Sequence, residues 1–306
     1  MTLQEIIEEF KKDLSGAADA FLKAGLQLFH TRASQAQGQV ALVNMSIGCE
    51  LLVKAFLSRF NIALIISDLS PEDTITFLAP DKIPHSKRSN STIKLKFRDF
   101  KSKEFADCLS MLYALRPEIK EIYGSSLRRI VKARNSGVHS TIASHNIHDV
   151  DRAAHVVLKL QECIGKEAES YFVPSKDDNR FLEQFNATRA ENVKKVLEAA
   201  RQNFQLSTFK EIDIVSGGWE EENEACPICG CDGILSGTTE YEVEMSAPDD
   251  IDEYLTFYAS SFFCDACKLD LQDEEEMRLA GLETVYDRSE DLAKWHFENI
   301  PEDGYY

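Results

Sequence analysis

The stretches Cys226-Pro-Ile-Cys229-Gly230 and Cys264-Asp-Ala-Cys267 decide the fold of the C-terminal half of this chain. In each stretch two residues separate the cysteines, so one tight turn points both sulfur atoms at a single metal ion. Two such turns complete a tetrahedron of four thiolates, the ligand set of structural zinc sites. The sequence therefore predicts structural Zn²⁺ bound by Cys226, Cys229, Cys264 and Cys267. Buried or disulfide-bonded cysteines are the alternative.

The 34 residues between the two cysteine pairs carry a β pattern. Tyr241, Val243 and Met245 alternate with glutamates, which predicts a small antiparallel sheet. From about Trp219 to Leu271 the segment resembles a zinc ribbon, whose four protein ligands leave no position for substrate. Cys231 has no partner at this spacing, and we expect that it is not a ligand.

The composition divides the chain into two parts of different charge. The 306 residues have a net charge of −18, but residues 1–175 carry 23 Lys+Arg against 20 Asp+Glu (+3) and residues 176–306 carry 11 against 32 (−21). A polyanion is repelled by the second part and not by the first, so RNA binding by the N-terminal part is not excluded. We expect the acidic part to bind a regulatory protein.

The composition also predicts a compartment. We expect no apolar segment to reach the roughly 18 residues that cross a bilayer, and we therefore expect a cytoplasmic chain with no membrane partner. Three cysteines are scattered singly and five crowd into the last 81 residues, a pattern that favours a reducing compartment with a metal site.

Helical periodicity dominates the N-terminal part. Amphipathic patterns predict helices over the first thirty residues, from Ser34 to Phe60, from Lys103 to Leu115, after Pro117 to Ala133, and from Ile147 to Tyr171. We therefore predict a mainly α fold with three parts: a helical bundle (1–172), a linker and connecting helix (173–210, with the helix at Glu183–Gln205), and a small α+β acidic domain with the zinc-ribbon-like segment and a C-terminal helix (211–306).

One short motif in this bundle carries candidate chemistry. Arg134-Asn135-Ser-Gly137-Val-His139 is expected to join the end of one helix to the start of the next, with Gly137 permitting a sharp turn that brings the Arg and His side chains together. An unperturbed histidine exchanges protons near neutral pH, and a guanidinium stays charged and can bind two phosphate oxygens. The alternative is that Arg134 caps a helix and His139 packs in the core.

The motif has the form R-N-x3-H and resembles the R-x4–6-H motif of HEPN ribonucleases. The earlier stretch Gly48-Cys-Glu50-Leu-Leu-Val-Lys54 also resembles a helix common in such proteins, so the resemblance spans roughly residues 1–172. Some HEPN toxins have a tyrosine two residues past the histidine, where this chain has Thr141, which argues against control by modification at that position.

The resemblance implies metal-independent RNA cleavage in which the ribose 2′-hydroxyl attacks the adjacent phosphate. Products are a 2′,3′-cyclic phosphate and a 5′-hydroxyl. His139 would then be the general acid or base, Arg134 would stabilise the phosphorane, and Asn135 would orient the loop or a phosphate. Because family members place two copies of the motif in one cleft, a homodimer is expected.

Further residues are candidates for this cleft. Glu50 and Lys54 either line it or form an ordinary surface ion pair one helical turn apart. The basic stretch 82–103 and the arginines and lysines before Arg134 are candidate phosphate contacts or simply solvated charges. The named RNA-binding candidates are Lys94, Lys96, Arg128, Arg129 and Lys132.

Two functions follow from these patterns. The first is an endoribonuclease, which the resemblance alone associates with prokaryotic antiviral defence or a toxin system. The second is a non-catalytic dimeric adaptor in which the helical part and the zinc ribbon recruit a partner protein.

Overall fold

The computed structural model of the chain describes residues 3–67, 101–139, 147–206, 218–247 and 250–299. The chain divides into two compact units, Met1–Glu183 and Gln184–Tyr306. The first unit is helical, and the second carries an antiparallel sheet with short helices. A mainly α fold with a small α+β C-terminal part is therefore confirmed.

Six helices make up the described part of the first unit, and the last of them continues into the second unit. They are α1 (Leu3–Thr31), α2 (Gln35–Phe60), α3 (Phe105–Leu115), α4 (Pro117–His139), α5 (Ile147–Ile164) and α6 (Lys176–Leu206), with a 3-10 turn at Ile62–Ile65. The boundary between the two units falls inside α6.

Helix α6 begins at Lys176 and not at Glu183, because a capping box starts it earlier. The hydroxyl of Ser175 accepts a hydrogen bond from the backbone N–H of Asp178 (3.1 Å), and the Asp178 carboxylate accepts one from the backbone N–H of Ser175 (2.7 Å). This reciprocal pair satisfies amide groups that a helix start otherwise leaves without partners.

Helix α2 is the centre of the first unit, and α1, α4 and α5 pack against it. Leu52, Val53 and Phe56 are fully buried there. Gly48 allows α1 to approach closely, since a Cβ atom at this position would lie 2.9 Å from the backbone nitrogen of Leu22. The close packing of α1 on α2 therefore depends on the absence of a side chain at Gly48.

By length and composition α2 is apolar enough to cross a membrane, contrary to the expectation from sequence. Its most apolar window is 72% buried inside the first unit. Core helices pass the same test of composition, so this burial explains the apolar sequence of α2 without a bilayer.

A short antiparallel bridge lies beyond the end of α2. Ile66 pairs with Ser102, and the backbone N–H of Lys103 donates to the carbonyl of Ile65 (2.9 Å). Residues 67 and 101 are therefore adjacent. The inserted loop predicted for residues 62–98, with its basic later part, lies mostly outside the described residues.

Within its described residues, the second unit contains a five-stranded antiparallel sheet. Its strands are β1 (Glu221–Ala225), β2 (Asp232–Ala247), β3 (Asp250–Cys264), β4 (Leu269–Leu271) and β5 (Val285–Asp287). The order is β1-β2-β3-β4, and β5 also pairs with β3. The long β2–β3 hairpin is where the alternating sequence predicted it.

One face of this sheet forms the core of the second unit. Leu235, Phe257 and Phe262 are buried on it and pack in one cluster with Ala200 of α6 and Met277 of α7. Helix α7 is Glu274–Leu279 and helix α8 is Leu292–Asn299. Side chains of the opposite face are exposed or half-buried.

Candidate functional site: a four-cysteine cluster and a buried ion-pair network

The sheet brings the two cysteine pairs to one end of the second unit. Cys226 directly follows β1 and Cys229 precedes β2, whereas Cys264 ends β3 and Cys267 precedes β4. Strands β2 and β3 are antiparallel, and Ile234 pairs with Phe263. The start of β2 therefore lies beside the end of β3, and both cysteine turns lie at the same end of the strands.

The four sulfur atoms lie within 4.8 Å of one another. Cys226 Sγ is 3.5 Å from Cys267 Sγ, and Cys229 Sγ is 3.6 Å from Cys264 Sγ. A tetrahedral site with metal–sulfur bonds of about 2.3 Å has sulfur–sulfur edges of about 3.8 Å. The cluster therefore fits one metal ion, and the four cysteines predicted from spacing are the four that the fold brings together.

Both cysteine turns end on a residue in the left-handed region. Gly230 follows Cys229 with φ +73°, and Lys268 follows Cys267 with φ +59°. The N–H of Gly230 donates to the carbonyl of Cys226 (2.9 Å), which closes the first turn. Glycine adopts this conformation without strain, whereas a lysine there has to be held by its surroundings.

Burial and backbone amides act in opposite directions on these thiols. Burial raises the pKa of Cys226 to about 11, although the amides of Cys229 and Ile228 donate to its sulfur and favour the thiolate. At Cys229, burial also acts to raise the pKa, but hydrogen bonds from the Cys231 amide and the neighbouring thiols outweigh it and lower the value. Amides aimed at sulfur are a setting suited to metal-bound thiolates.

Cys231 is outside the four-sulfur cluster. Its carbonyl accepts a hydrogen bond from the backbone N–H of Cys226 (2.9 Å), and its thiol lies 3.9 Å from the carbonyl oxygen of Cys229. Its backbone therefore helps to close the first turn. All eight cysteines are among the described residues, and none forms a disulfide.

The first unit contains a buried ion-pair network built on Glu50. Lys54 Nζ lies 2.6 Å from Glu50 Oε1, and Arg134 Nε lies 3.2 Å from Glu50 Oε2. The side chains of Lys54 and Glu50 are only 5% and 10% exposed, and that of Arg134 is 24% exposed. Glu50 and Lys54 do form an i,i+4 pair, but it is buried and shared with Arg134, so it is not an ordinary surface pair.

Ser102 extends this network and was missed by sequence reasoning. Its hydroxyl lies 3.1 Å from Lys54 Nζ. The partners are 48 residues apart along the chain, and no local pattern marks such a contact. The bridge between Ile66 and Ser102 thus places the end of the inserted segment beside Lys54 of this network.

Helix α4 separates the candidate cationic residues. Arg134 lies four and seven residues after the buried Ile130 and Leu127, and so belongs to the inner face of the helix. Arg129 and Lys132 are exposed, and Arg128 is half-buried. Lys94 and Lys96 lie outside the described residues, as do the side chains of Asn135 and His139.

The predicted turn within the motif is wrong, because α4 continues to His139. Gly137 therefore lies in a helix, and it does not make the sharp turn expected of it. Positions five residues apart on an α-helix are about 140° apart around the axis. Positions 134 and 139 of one chain therefore lie on different sides of the helix axis.

Comparison with protein-family models, with curated proteins and with solved structures gives no match for this chain. The resemblance to HEPN ribonucleases therefore rests on the R-N-x3-H motif and the Glu50–Lys54 helix. It stays a prediction.

Proposed function

We propose that the chain is a metal-independent endoribonuclease of the HEPN type. The observation that carries the proposal is the contact between Glu50 and Arg134. These residues are 84 positions apart and belong to two separate stretches, each of which resembles the same family. A fold that joins both through a buried carboxylate is what a shared site requires.

In the proposed reaction the 2′-hydroxyl attacks the adjacent phosphate and the 5′-oxygen leaves. His139 moves the proton to or from these oxygens, as an imidazole with a pKa near 6.5 can do at neutral pH. Arg134 stabilises the negative charge that grows on the phosphorane oxygens. Glu50 acts as a positioning residue that fixes the guanidinium, and Lys54 compensates the charge of Glu50.

We also propose that the site is shared between two copies of the chain. Residues 134 and 139 lie on different sides of one continuous helix, so convergence of both on one phosphate requires a second α4. A homodimer with Arg134 from one chain facing His139 from the other satisfies this geometry. The biological setting that fits this activity is prokaryotic defence or a toxin system.

For the second unit we propose zinc as the ion and a zinc ribbon as the fold, from Trp219 to Leu271. Four thiolates are the ligand set that zinc prefers in structural sites, and they leave no position open for substrate. The ion therefore stabilises the hairpin ends and takes no part in the reaction.

The test of the nuclease is cleavage of labelled RNA by the full chain in the presence of EDTA. Zinc content is measured before and after incubation, so that loss of the fold is not mistaken for loss of a catalytic metal. His139→Ala should reduce cleavage by about 10²–10⁴-fold and Arg134→Ala by about 10²–10³-fold. Arg201→Ala, which removes an exposed arginine of α6, should leave it unchanged.

A second candidate function is the non-catalytic adaptor. The observation that favours it is that the Arg134 guanidinium is held by a buried carboxylate, as in a purely structural ion pair. In that case no tested RNA is cleaved, and Arg134→Ala lowers stability without affecting any activity. Cleavage that survives His139→Ala also contradicts the nuclease.

A further inference from the structure

The sheet of the second unit has one face that is not used by its core. Along β3, Leu255, Phe257 and Ala259 point to the buried face. Tyr254, Thr256 and Tyr258 alternate with them and occupy the outer face, where Tyr254 is 39% exposed. Helix α8 stacks Trp295 on Tyr241, which pairs with Leu255 and so belongs to the inner face.

Two carboxylates flank Thr256, which lies between the two tyrosines of this outer face. Thr256 pairs with Glu240 of β2 on one side and with Asp287 of β5 on the other. Neighbouring strands are about 4.8 Å apart, so the Cα atoms of Glu240 and Asp287 are about 10 Å apart across the sheet. Tyr254 and Tyr258 lie about 7 Å from Thr256 along the strand. We call Glu240, Asp287, Tyr254 and Tyr258, which surround Thr256, the outer-face cluster.

The charged side chains in the strands of this sheet are all negative. None of its five strands contains a lysine or an arginine. Asp287 is fixed by Ser289, whose backbone N–H (2.9 Å) and hydroxyl (2.6 Å) both donate to its carboxylate. A second aromatic and acidic pair, Phe263 and Asp270, lies further along the same face and is exposed.

We propose that the outer-face cluster binds a lysine- or arginine-bearing segment of a partner protein. A guanidinium or ammonium group over Thr256 meets a carboxylate on each side and a tyrosine ring at each end. Ion pairing and cation–π attraction both favour such a cation. A nucleic acid or an anionic membrane is repelled by the same carboxylates, so charge complementarity selects a basic polypeptide.

This proposal is independent of the nuclease, because it uses only residues of the second unit. It is tested on the full chain by fluorescence anisotropy with a fluorescein-labelled nona-arginine peptide. The variant Glu240→Gln/Asp287→Asn removes two charges from the cluster, and Glu198→Gln/Glu290→Gln removes two exposed charges elsewhere in the same unit.

The expected result is that the cluster variant binds the peptide about fivefold more weakly, whereas the control variant stays within about twofold. Tyr254→Leu/Tyr258→Leu should weaken binding by about threefold or more, and Tyr254→Phe/Tyr258→Phe should retain it because the rings remain. Circular dichroism establishes that each variant is folded.

Two results overturn the proposal. If both charge variants lose affinity equally, the attraction is a general property of an acidic chain. If sedimentation shows that the cluster variant changes the oligomeric state of the chain and leaves peptide binding intact, the face is a contact between two copies.

Discussion

Replacing Glu50 by glutamine should destabilise the first unit strongly, because it removes the buried negative charge that contacts both Lys54 and Arg134. The Lys54 side chain is 5% exposed, so its ammonium group cannot regain full hydration. Breaking a buried pair in this way costs about 3–5 kcal/mol. Loss of the contact with Arg134 adds less to this cost, because the Arg134 side chain is 24% exposed and water reaches it.

The assay is urea unfolding followed by two signals. Far-UV circular dichroism reports mainly the helices, and tryptophan fluorescence reports the second unit, because both tryptophans, Trp219 and Trp295, lie there. Glu50→Gln should lower the circular dichroism midpoint and leave the fluorescence midpoint in place. Lys54→Met should cost less, since Glu50 keeps Arg134.

The matched control is Glu162→Gln in α5 of the same unit. Glu162 pairs with Lys159 at 2.8 Å, but the two side chains are 52% and 27% exposed. Loss of such a pair costs about 0–1 kcal/mol. If Glu50→Gln costs no more than Glu162→Gln, the network is not a buried, interdependent unit, and its use as a positioning device for Arg134 is refuted.

Three further predictions concern both units. Metal analysis should find one zinc ion per chain. The bound zinc should be retained in Cys231→Ser and lost when any of the four clustered cysteines is replaced by serine, and this loss should change the tryptophan fluorescence. Gly48→Ala should destabilise the first unit by about 1–3 kcal/mol through overpacking, whereas Gly16→Ala in α1, with nothing within 4 Å of its added Cβ, should stabilise it by about 0.5–1 kcal/mol in the same urea assay. The hydrogen bond from His296 is the largest cause that lowers the pKa of the Glu253 carboxyl below the ordinary value of a glutamate, so this pair adds stability above that ordinary pKa and loses it as the pH falls through the lowered value. Carboxylate NMR titration should show the lowered pKa, and His296→Ala should reduce the shift.

The four-cysteine cluster could be predicted from the sequence because its information is local. Two residues between cysteines indicate a tight turn, and an alternating strand pattern indicates a hairpin. The proximity of Cys226 and Cys264 could therefore be predicted without knowledge of the fold. What spacing does not give is the accessory role of Cys231, whose backbone closes the first turn through a carbonyl.

The motif in α4 was harder because weak local preferences compete with packing. Asn135 and Gly137 disfavour a helix interior, yet each costs only about 1 kcal/mol or less. The packing of Leu127 and Ile130 and the contact of Arg134 with Glu50 favour continuation of the helix. The contact itself joins residues 84 positions apart, which no periodicity encodes.

Helix α2 shows that composition alone does not predict the surroundings of an apolar helix. Its apolar stretch is long enough for a bilayer, but the unit buries most of it. Hydropathy measures how strongly a helix avoids water, and it does not distinguish lipid from the side chains of neighbouring helices.

Analysis of the RNA ends left by the full chain tests the central claim most directly. We predict a 2′,3′-cyclic phosphate on the upstream fragment and a 5′-hydroxyl on the downstream fragment, both formed with EDTA present and both lost in His139→Ala. Fragments ending in a 3′-hydroxyl and a 5′-phosphate, or intact RNA after incubation with folded, zinc-loaded protein, would contradict a HEPN-type endoribonuclease.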